Sequence, residues 1–366
     1  TGATLGACAS FLYNLRQGIE DIRRGRARVV FVGGAEAPVT PEVMEGYSTM
    51  GALATDKGLR AIEGIGDDRA PDHRRACRPF GENCGFTIAE SAQMVVLFDD
   101  ELALQLGATG YGAATDVFVN ADGYKKSISG PGVGNYITVA KAVAAARGIV
   151  GDKGFRRGGF VQAHGTGTPQ NRVSESEILS KTAAAFGLEG WPVAAIKCYL
   201  GHSLGSASGE QFAATLGVWH TGIMPGITTI DAIADDVNQE RLQFSLEHGE
   251  IDTREQRYAV INAKGFGGNN ASATLLSPQQ TSRMLQQRYS KSEWQAWQTA
   301  NEKVRQRQQE YDDGMTAGSI EPVYKFDHGV LGDGHVEYGD KRIRINGREV
   351  DLDLASPYDD MLPDEA

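Results

Sequence analysis

Three positions in this chain carry side chains and surroundings suited to covalent chemistry. Gly6-Ala7-Cys8-Ala9 sets a thiol in a turn of small residues, just before a stretch in which Leu12, Leu15, Ile19 and Ile22 recur at spacings of three and four. That periodicity predicts an amphipathic helix. Cys8 then stands at a helix N-terminus, where the dipole favours thiolate and small neighbours admit a substrate. A cysteine packed inertly under a helix would look the same locally, since free cysteine is among the most buried residue types. His164 lies in Ala163-His164-Gly165-Thr166-Gly167-Thr168-Pro169 and His202 in Lys197-Cys198-Tyr199-Leu200-Gly201-His202-Ser203, each after an apolar run that reads as a strand. One histidine at such a place is as readily structural as functional. Two of them, each beside glycine at the carboxyl end of a strand, where α/β proteins build their sites, are hard to ascribe to packing.

The elements that must position these groups alternate along the chain. The first helix is predicted to stop near Gly25, and Val29–Val32 reads as a buried strand ending at Gly33-Gly34. Residues 51–80 are polar and broken by Gly and Pro, which predicts a long functional loop region. Strands are expected over Gln93–Phe98, Gly159–Ala163, the run ending at Lys197, and Tyr258–Ala263, which leads into Gly265-Phe266-Gly267-Gly268. Helices are expected over Tyr136–Arg147, Glu175–Phe186 and Gly205–Trp219. Strands alternating with helices define an α/β layered architecture. After Ser277 the chain changes character. Residues 279–312, rich in Gln, Arg, Lys and Glu and bearing Trp294 and Trp297, read as an exposed helix. Tyr324–Leu352 alternates as strands do, with turns at Gly339-Asp340 and Asn346-Gly347, and an acidic tail follows.

Composition narrows the classes of function. With 366 residues the chain is long enough for two domains or one large pseudo-symmetric one, and 41% hydrophobic with 23% charged residues is a globular composition. No apolar run is long enough to span a bilayer. A formal charge of -11 argues against a sequence-independent nucleic-acid binder. Four cysteines in such a length make no disulfide framework, which points to a reducing, cytoplasmic setting; Cys77 and Cys84 are the one pair close enough in sequence to consider. No metal-ligand spacing is apparent, and Gly130–Gly134 lacks the Lys-Ser/Thr of a phosphate-binding loop.

Five stretches in order resemble the decarboxylating β-ketoacyl-acyl-carrier-protein synthases, on the thiolase fold, and specifically their Cys-His-His branch. They are GACAS at Cys8, GFTIAES at Gly85, AHGTGTP at His164, KCYLGHS at Lys197 and GFGGNN at Gly265. The resemblance covers about residues 1–277, and His202 stands where the Cys-His-Asn branch would carry Asn. It implies a layered fold of two pseudo-symmetric halves, with residues 1–100 the remainder of the first, 101–278 the second and 279–366 an extension. It implies an acyltransferase of fatty acid biosynthesis in which Cys8 takes an acyl primer as a thioester. Malonyl carried on acyl carrier protein then loses CO2, and His164 and His202 donate to the enolate oxygen. The new carbon nucleophile attacks the Cys8 thioester, whose oxyanion sits between the backbone N–H groups of Cys8 and Phe266. The family also implies Lys197 as the supporting lysine, Thr166 and Thr168 as pantetheine contacts, Phe266 as the gate and Glu175 as the anchor of the Lys/His network. No cofactor is expected, because substrates ride on the phosphopantetheine of acyl carrier protein or on coenzyme A. The partners implied are acyl carrier protein, an acyl-CoA or acyl-ACP primer, malonyl-ACP and a second copy in a homodimer.

Departures from the family pattern carry their own expectations. Arg172 replaces an Asp, and Gln211 stands where a Glu partner of the lysine is common, with Glu210 adjacent as a substitute. Lys264 takes the place of a second phenylalanine beside the gate, which suggests a charged primer such as a coenzyme A thioester. The extension after Ser277 is similar to that of long-form bacterial synthases that start fatty acid synthesis. Arg74, Arg75 and Arg78, with Lys125 and Lys126, are candidates for a basic landing site for an acidic carrier. In the family the nucleophile lies well inside the chain, so a preceding segment is expected to supply core strands, dimer interface and part of the acyl pocket; without it an apolar surface is left open. A ketosynthase of a polyketide or polyunsaturated fatty acid pathway would carry the same catalytic residues. A non-catalytic partner subunit would lack the nucleophile, which Cys8 argues against.

Overall fold

The computed structural model describes residues 2–123, 132–321, 323 and 328–361. α1 (Ser10–Arg23) buries Phe11, Leu12, Leu15 and Ile19 on the face its periodicity predicts. β1 (Val29–Glu36) follows. α2 (Pro41–Thr49) is capped by Thr40 and α3 (Asp56–Glu63) by Thr55, each side chain accepting from the backbone N–H three residues on. The region expected as one long loop therefore contains a capped helix, α3, that its polar sequence hid. β2 (Ser91–Phe98) returns antiparallel to β1, in unbroken register from Val29 opposite Phe98 to Glu36 opposite Ser91.

After α4 (Asp100–Gln105) the second half begins. It comprises β3 (Ala113–Ala121), α5 (Val133–Phe155), β4 (Gly159–Gln162), α6 (Pro169–Phe186), β5 (Trp191–Ala194), α7 (Lys197–Leu200), α8 (Ala207–Thr221), β6 (Ile223–Met224), β7 (Leu242–Phe244), β8 (Gly249–Glu250), β9 (Tyr258–Gly265) and β10 (Asn269–Leu276). Six strands form one mixed sheet in the order β3-β10-β9-β4-β5-β7. β4, β5, β7 and β9 are parallel, and β10 runs against both its neighbours. All eight residues of β9 are buried, as a strand covered on both faces must be. Its alternate residues serve two cores: Tyr258 and Val260 pack in the cluster with α5 and α6, while Ala259, Ile261 and Ala263 pack with α1 and α8. A helix followed by two antiparallel eight-residue strands occurs twice, as α1-β1-β2 and as α8 with β9-β10. The two helices meet through Phe11 and Phe212, ring centroids 6.0 Å apart.

The outer face of the β1-β2 pair is open. Phe31, Met94, Val96 and Phe98 are all exposed, Phe31 and Met94 by about 70%. This is an apolar surface of the kind expected where a further layer packs.

The stretch expected as one exposed helix is two, α9 (Pro278–Arg288) and α10 (Lys291–Thr316), broken at Tyr289-Ser290. The first compact unit runs to Arg305 rather than ending at residue 278. The reason is local. Trp297 Nε1 donates to Ala108 O at 3.1 Å, and Asn301 Nδ2 donates to Gly107 O at 3.0 Å, so the first half of α10 is held to the turn after α4. The second unit, residues 306–366, contains the end of α10 and a meander of β11 (Val336–Tyr338), β12 (Arg342–Ile345) and β13 (Arg348–Asp351). Asn346 and Gly347 both have positive φ, 47° and 79°, the conformation a two-residue hairpin turn requires there.

Candidate active site

Cys8 is buried two residues ahead of α1, and Ala7 before it takes a positive φ of 49°. The end of β9 presses against this turn: a Cβ at Gly265 would lie 2.3 Å from Gly6 O, so only glycine fits. That approach aims the backbone N–H of Phe266 at the thiol, which the Cys8 N–H also reaches. Burial nevertheless dominates. It pushes the Cys8 thiol up to about 11, against the opposing pull of Lys197 and of the two backbone N–H groups. Cys8 is therefore a neutral thiol at neutral pH and needs a base to release its proton.

His164 follows β4 and His202 follows α7, and the structure brings them together. Their ring centroids are 5.4 Å apart and the planes stand at 87°. Both rings are buried, and burial with the Lys197 charge holds both well below the usual imidazole range, so both are neutral at pH 7. Their Nδ1 atoms have no hydrogen-bond partner among the described residues. Rings then run outward in an unbroken series: His202 to Phe86 at 5.2 Å, Phe86 to Tyr47 at 5.4 Å, and Tyr47 to Phe266 at 5.8 Å. Tyr47 was not a sequence candidate. It sits on the polar helix α2, where no period marked it.

Lys197 is fully buried, not a solvated lysine at a strand end. It opens α7, and its ammonium donates to His164 O at 2.7 Å and to Gln211 Oε1 at 3.5 Å. Burial lowers its pKa from the usual lysine range, and Glu210 is the strongest of the charges that oppose this. The two neighbours thus divide the work expected of one: Gln211 supplies an acceptor and Glu210 the charge. Gln211 also donates through Nε2 to Gln162 O, Ala163 O and Asn262 O at 2.8–3.0 Å, closing α8 onto the sheet.

Glu175 is wholly buried and accepts four hydrogen bonds. They come from His164 N (2.7 Å), Gly165 N (2.9 Å), Asn171 Nδ2 (2.9 Å) and Asn262 Nδ2 (2.7 Å). Asn262 is held in turn by Asn135 and Ser272. Glu175→Ala strands four buried donors at about 1–3 kcal/mol each before relaxation. We expect a loss of several kcal/mol in a denaturant melt, with Glu175→Gln intermediate; a melt unchanged in both would show that the cradle carries no stability.

Thr168 caps α6, its Oγ1 accepting from Asn171 N at 3.4 Å, and Thr166 Oγ1 lies 3.2 Å from it. Arg172 is buried and reaches Asp236 with two nitrogens at 2.8 and 3.0 Å, and Gly81 O at 3.0 Å, so it ties α6 to two loops. Lys264 is 2% exposed with its ammonium 2.7 Å from Ser174 Oγ. Its charge bears on His164. The basic landing site is corrected in part. Arg78 is buried on Thr229 O and Glu82 O, and Arg75 pairs with Asp231, which leaves Arg74 exposed; Lys125 and Lys126 lie outside the described residues. Cys77 and Cys84 are both free thiols.

A pH test follows from the thiol's surroundings. Since the Lys197 charge lowers the Cys8 pKa, Lys197→Met removes that help and raises the thiol above about 11. At any fixed pH below that value the thiolate fraction falls. Iodoacetamide should therefore alkylate Cys8 more slowly in Lys197→Met, with the rate profile moved to higher pH; a profile left in place would separate Lys197 from the thiol.

A sheet with β10 reversed, a thiol at a helix start and two buried imidazoles beside a buried lysine fit the thiolase fold, and the chain belongs to the β-ketoacyl synthase family. The family's N-terminal domain matches residues 3–103 and its C-terminal domain residues 111–231. Beta-ketoacyl-[acyl-carrier-protein] synthase FabY of Pseudomonas aeruginosa is 53% identical over 347 residues, 95% of this chain and 54% of that protein. The crystal structure of the noncanonical ketosynthase FabY from P. aeruginosa superposes with a TM-score of 0.88 at 51% identity, covering 99% of this chain and 56% of the other. 3-Oxoacyl-[acyl-carrier-protein] synthase 2 of Staphylococcus aureus is 30% identical over 277 residues, 74% of this chain and 61% of that protein. The chain thus spans about half to three fifths of the length of the relatives it matches. Among the described residues, no helix is long and apolar enough to cross a membrane.

Proposed function

We propose that the protein is a β-ketoacyl-ACP synthase of fatty acid biosynthesis, joining an acyl primer on Cys8 to malonyl-ACP with loss of CO2. The observation that carries this reading is a thiol with two backbone N–H groups aimed at it and a pair of neutral imidazoles, all three groups in the field of one buried lysine, Lys197. A hydrolase needs the thiol and one imidazole; a second donor beside the first serves the enolate of a condensation.

In the first half-reaction a neutral imidazole accepts the Cys8 proton. The sulfur attacks the primer's thioester carbonyl, the S–C bond of the donor breaks, and its thiol leaves with a proton. In the second half-reaction the malonyl C–CO2 bond breaks, and its electron pair becomes an enolate whose oxygen accepts from His164 and His202. The enolate carbon then attacks the Cys8 thioester. Negative charge collects on that carbonyl oxygen, between the N–H groups of Cys8 and Phe266, until the Cys8 sulfur departs. Donors fixed before reaction stabilise such charge without reorganising.

Acyl carrier protein as partner is supported by the names of the related synthases. The homodimer and the cytoplasmic setting belong to the same reading. A short primer such as acetyl-CoA, in an initiating step, is the further part of it, and it rests on the resemblance of the extension after Ser277 to that of long-form synthases.

The test is intact mass of the full-length protein after exposure to acetyl-CoA and, separately, to short and long acyl-ACPs, followed by malonyl-ACP. We expect an acyl adduct and then a 3-oxoacyl product, with acetyl-CoA the better donor. A preference for long acyl-ACP would move the enzyme from initiation to elongation. Hydrolysis without a new carbon–carbon bond would make it a thioesterase.

A further inference from the structure

Two lysines are buried in this site. Lys197 on α7 rests on His164 O, and its charge reaches Cys8, His164 and His202. Lys264 lies at the end of β9, one residue before the glycine that presses on the Cys8 turn. Its ammonium donates to Ser174 Oγ, and the next residue on α6 is Glu175, whose carboxylate holds the His164 and Gly165 N–H groups. The Lys264 charge bears on His164. Lys197 and His202 also bear on His164, and Glu175 holds its backbone N–H.

We propose that Lys264 is a positioning residue for His164: it ties the end of the gate strand β9 to the helix that carries Glu175, whose carboxylate holds the His164 backbone, and it sets a buried positive charge beside that cradle. The inference rests on the reading of the site as a condensing centre. In such a centre the His164 donor meets the enolate formed from malonyl, and a buried cation behind that donor favours the developing negative charge. The primer is received at the thiol, whereas the Lys264 tie runs through Ser174 and Glu175 to the His164 backbone. Lys264 therefore supports the carbon–carbon bond-forming half-reaction and leaves acyl transfer to Cys8 largely untouched.

The test separates the halves in the full-length protein. Acylation is read as the rate of the Cys8 mass adduct from acetyl-CoA, and condensation as single-turnover product from pre-acylated enzyme and malonyl-ACP. Lys264→Met keeps the length and removes the charge. We expect its condensation to fall at least about tenfold, less than the ~10²–10³ of a direct donor, with acylation within about twofold and Lys264→Arg restoring most of the loss. Equal losses in both halves, no loss, or Met and Arg behaving alike would overturn the proposal and leave Lys264 a space-filling residue. Should Lys264→Met not fold, Ser174→Ala decides, because it keeps the charge and cuts the tie: a loss confined to condensation supports the proposal, and an equal loss or none overturns it. Wild-type protein that forms no adduct with any donor sinks the reading of the whole site instead.

Discussion

Cys8→Ala in the full-length protein is expected to abolish the acyl adduct and reduce condensation by on the order of 10⁴ or more, as removal of a covalent nucleophile does elsewhere. No other described thiol can take over. Cys77 and Cys198 are buried and pushed up to about 12, and Cys84 is the remaining free thiol, packed against Gly58 on α3. The loss should be specific to the covalent half of the cycle. Loss of CO2 from malonyl needs the imidazole donors, not the sulfur, so CO2 release from malonyl-ACP should survive in Cys8→Ala. Parallel assays of CO2 and 3-oxoacyl product would show this. If both vanish with the fold intact, the thiol and the histidines are one unit and the separation argued here is wrong.

The second large effect is expected at the imidazoles. His164→Ala and His202→Ala should each lower condensation by about 10²–10³, the usual loss for one preorganised donor in a water-poor site. The two will not simply multiply, since the rings touch and share the field of Lys197. His202 is fixed by its backbone, its N–H donating to Thr87 O at 2.7 Å and its carbonyl accepting from Ala89 N at 3.1 Å. Its replacement should therefore leave the melt nearly unchanged while activity falls. His164 is fixed by Glu175 and Lys197 through its own backbone, so the same holds there. A thermal melt beside a single-turnover rate separates a lost donor from a lost fold. A variant that condenses at the wild-type rate would remove that histidine from the enolate site.

The chemistry was legible in the sequence because its residues sit at local discontinuities. Cys8 ends a run of small residues before a periodic helix, and His164 and His202 interrupt strand-like segments between glycines. Those are short-range patterns, governed by steric freedom and by spacings of two, three and four residues. The α/β alternation, the two-residue hairpin turn at Asn346-Gly347 and the apolar face of α1 were legible for the same reason. What the periods could not show was which polar residues are buried. Asn135 and Ser272 look like ordinary surface polarity, yet they are almost fully or fully buried and bond to Asn262 across 127 and 10 positions of sequence. Arg78 reads as a surface cation and is buried. Lys197 was expected as a support, but its donation to the His164 carbonyl appears only when α7 and the end of β4 are folded together.

The division has one physical origin. A nucleophile at a helix start and glycines that let the chain approach it are set by neighbours along the backbone, and their geometry is fixed before distant segments meet. The charge state of that nucleophile is not. Burial raises the Cys8 thiol, and Lys197, nearly two hundred residues away, pulls it back. Both depend on what the tertiary fold removes from water and what it brings within a few ångströms, and no local pattern encodes either.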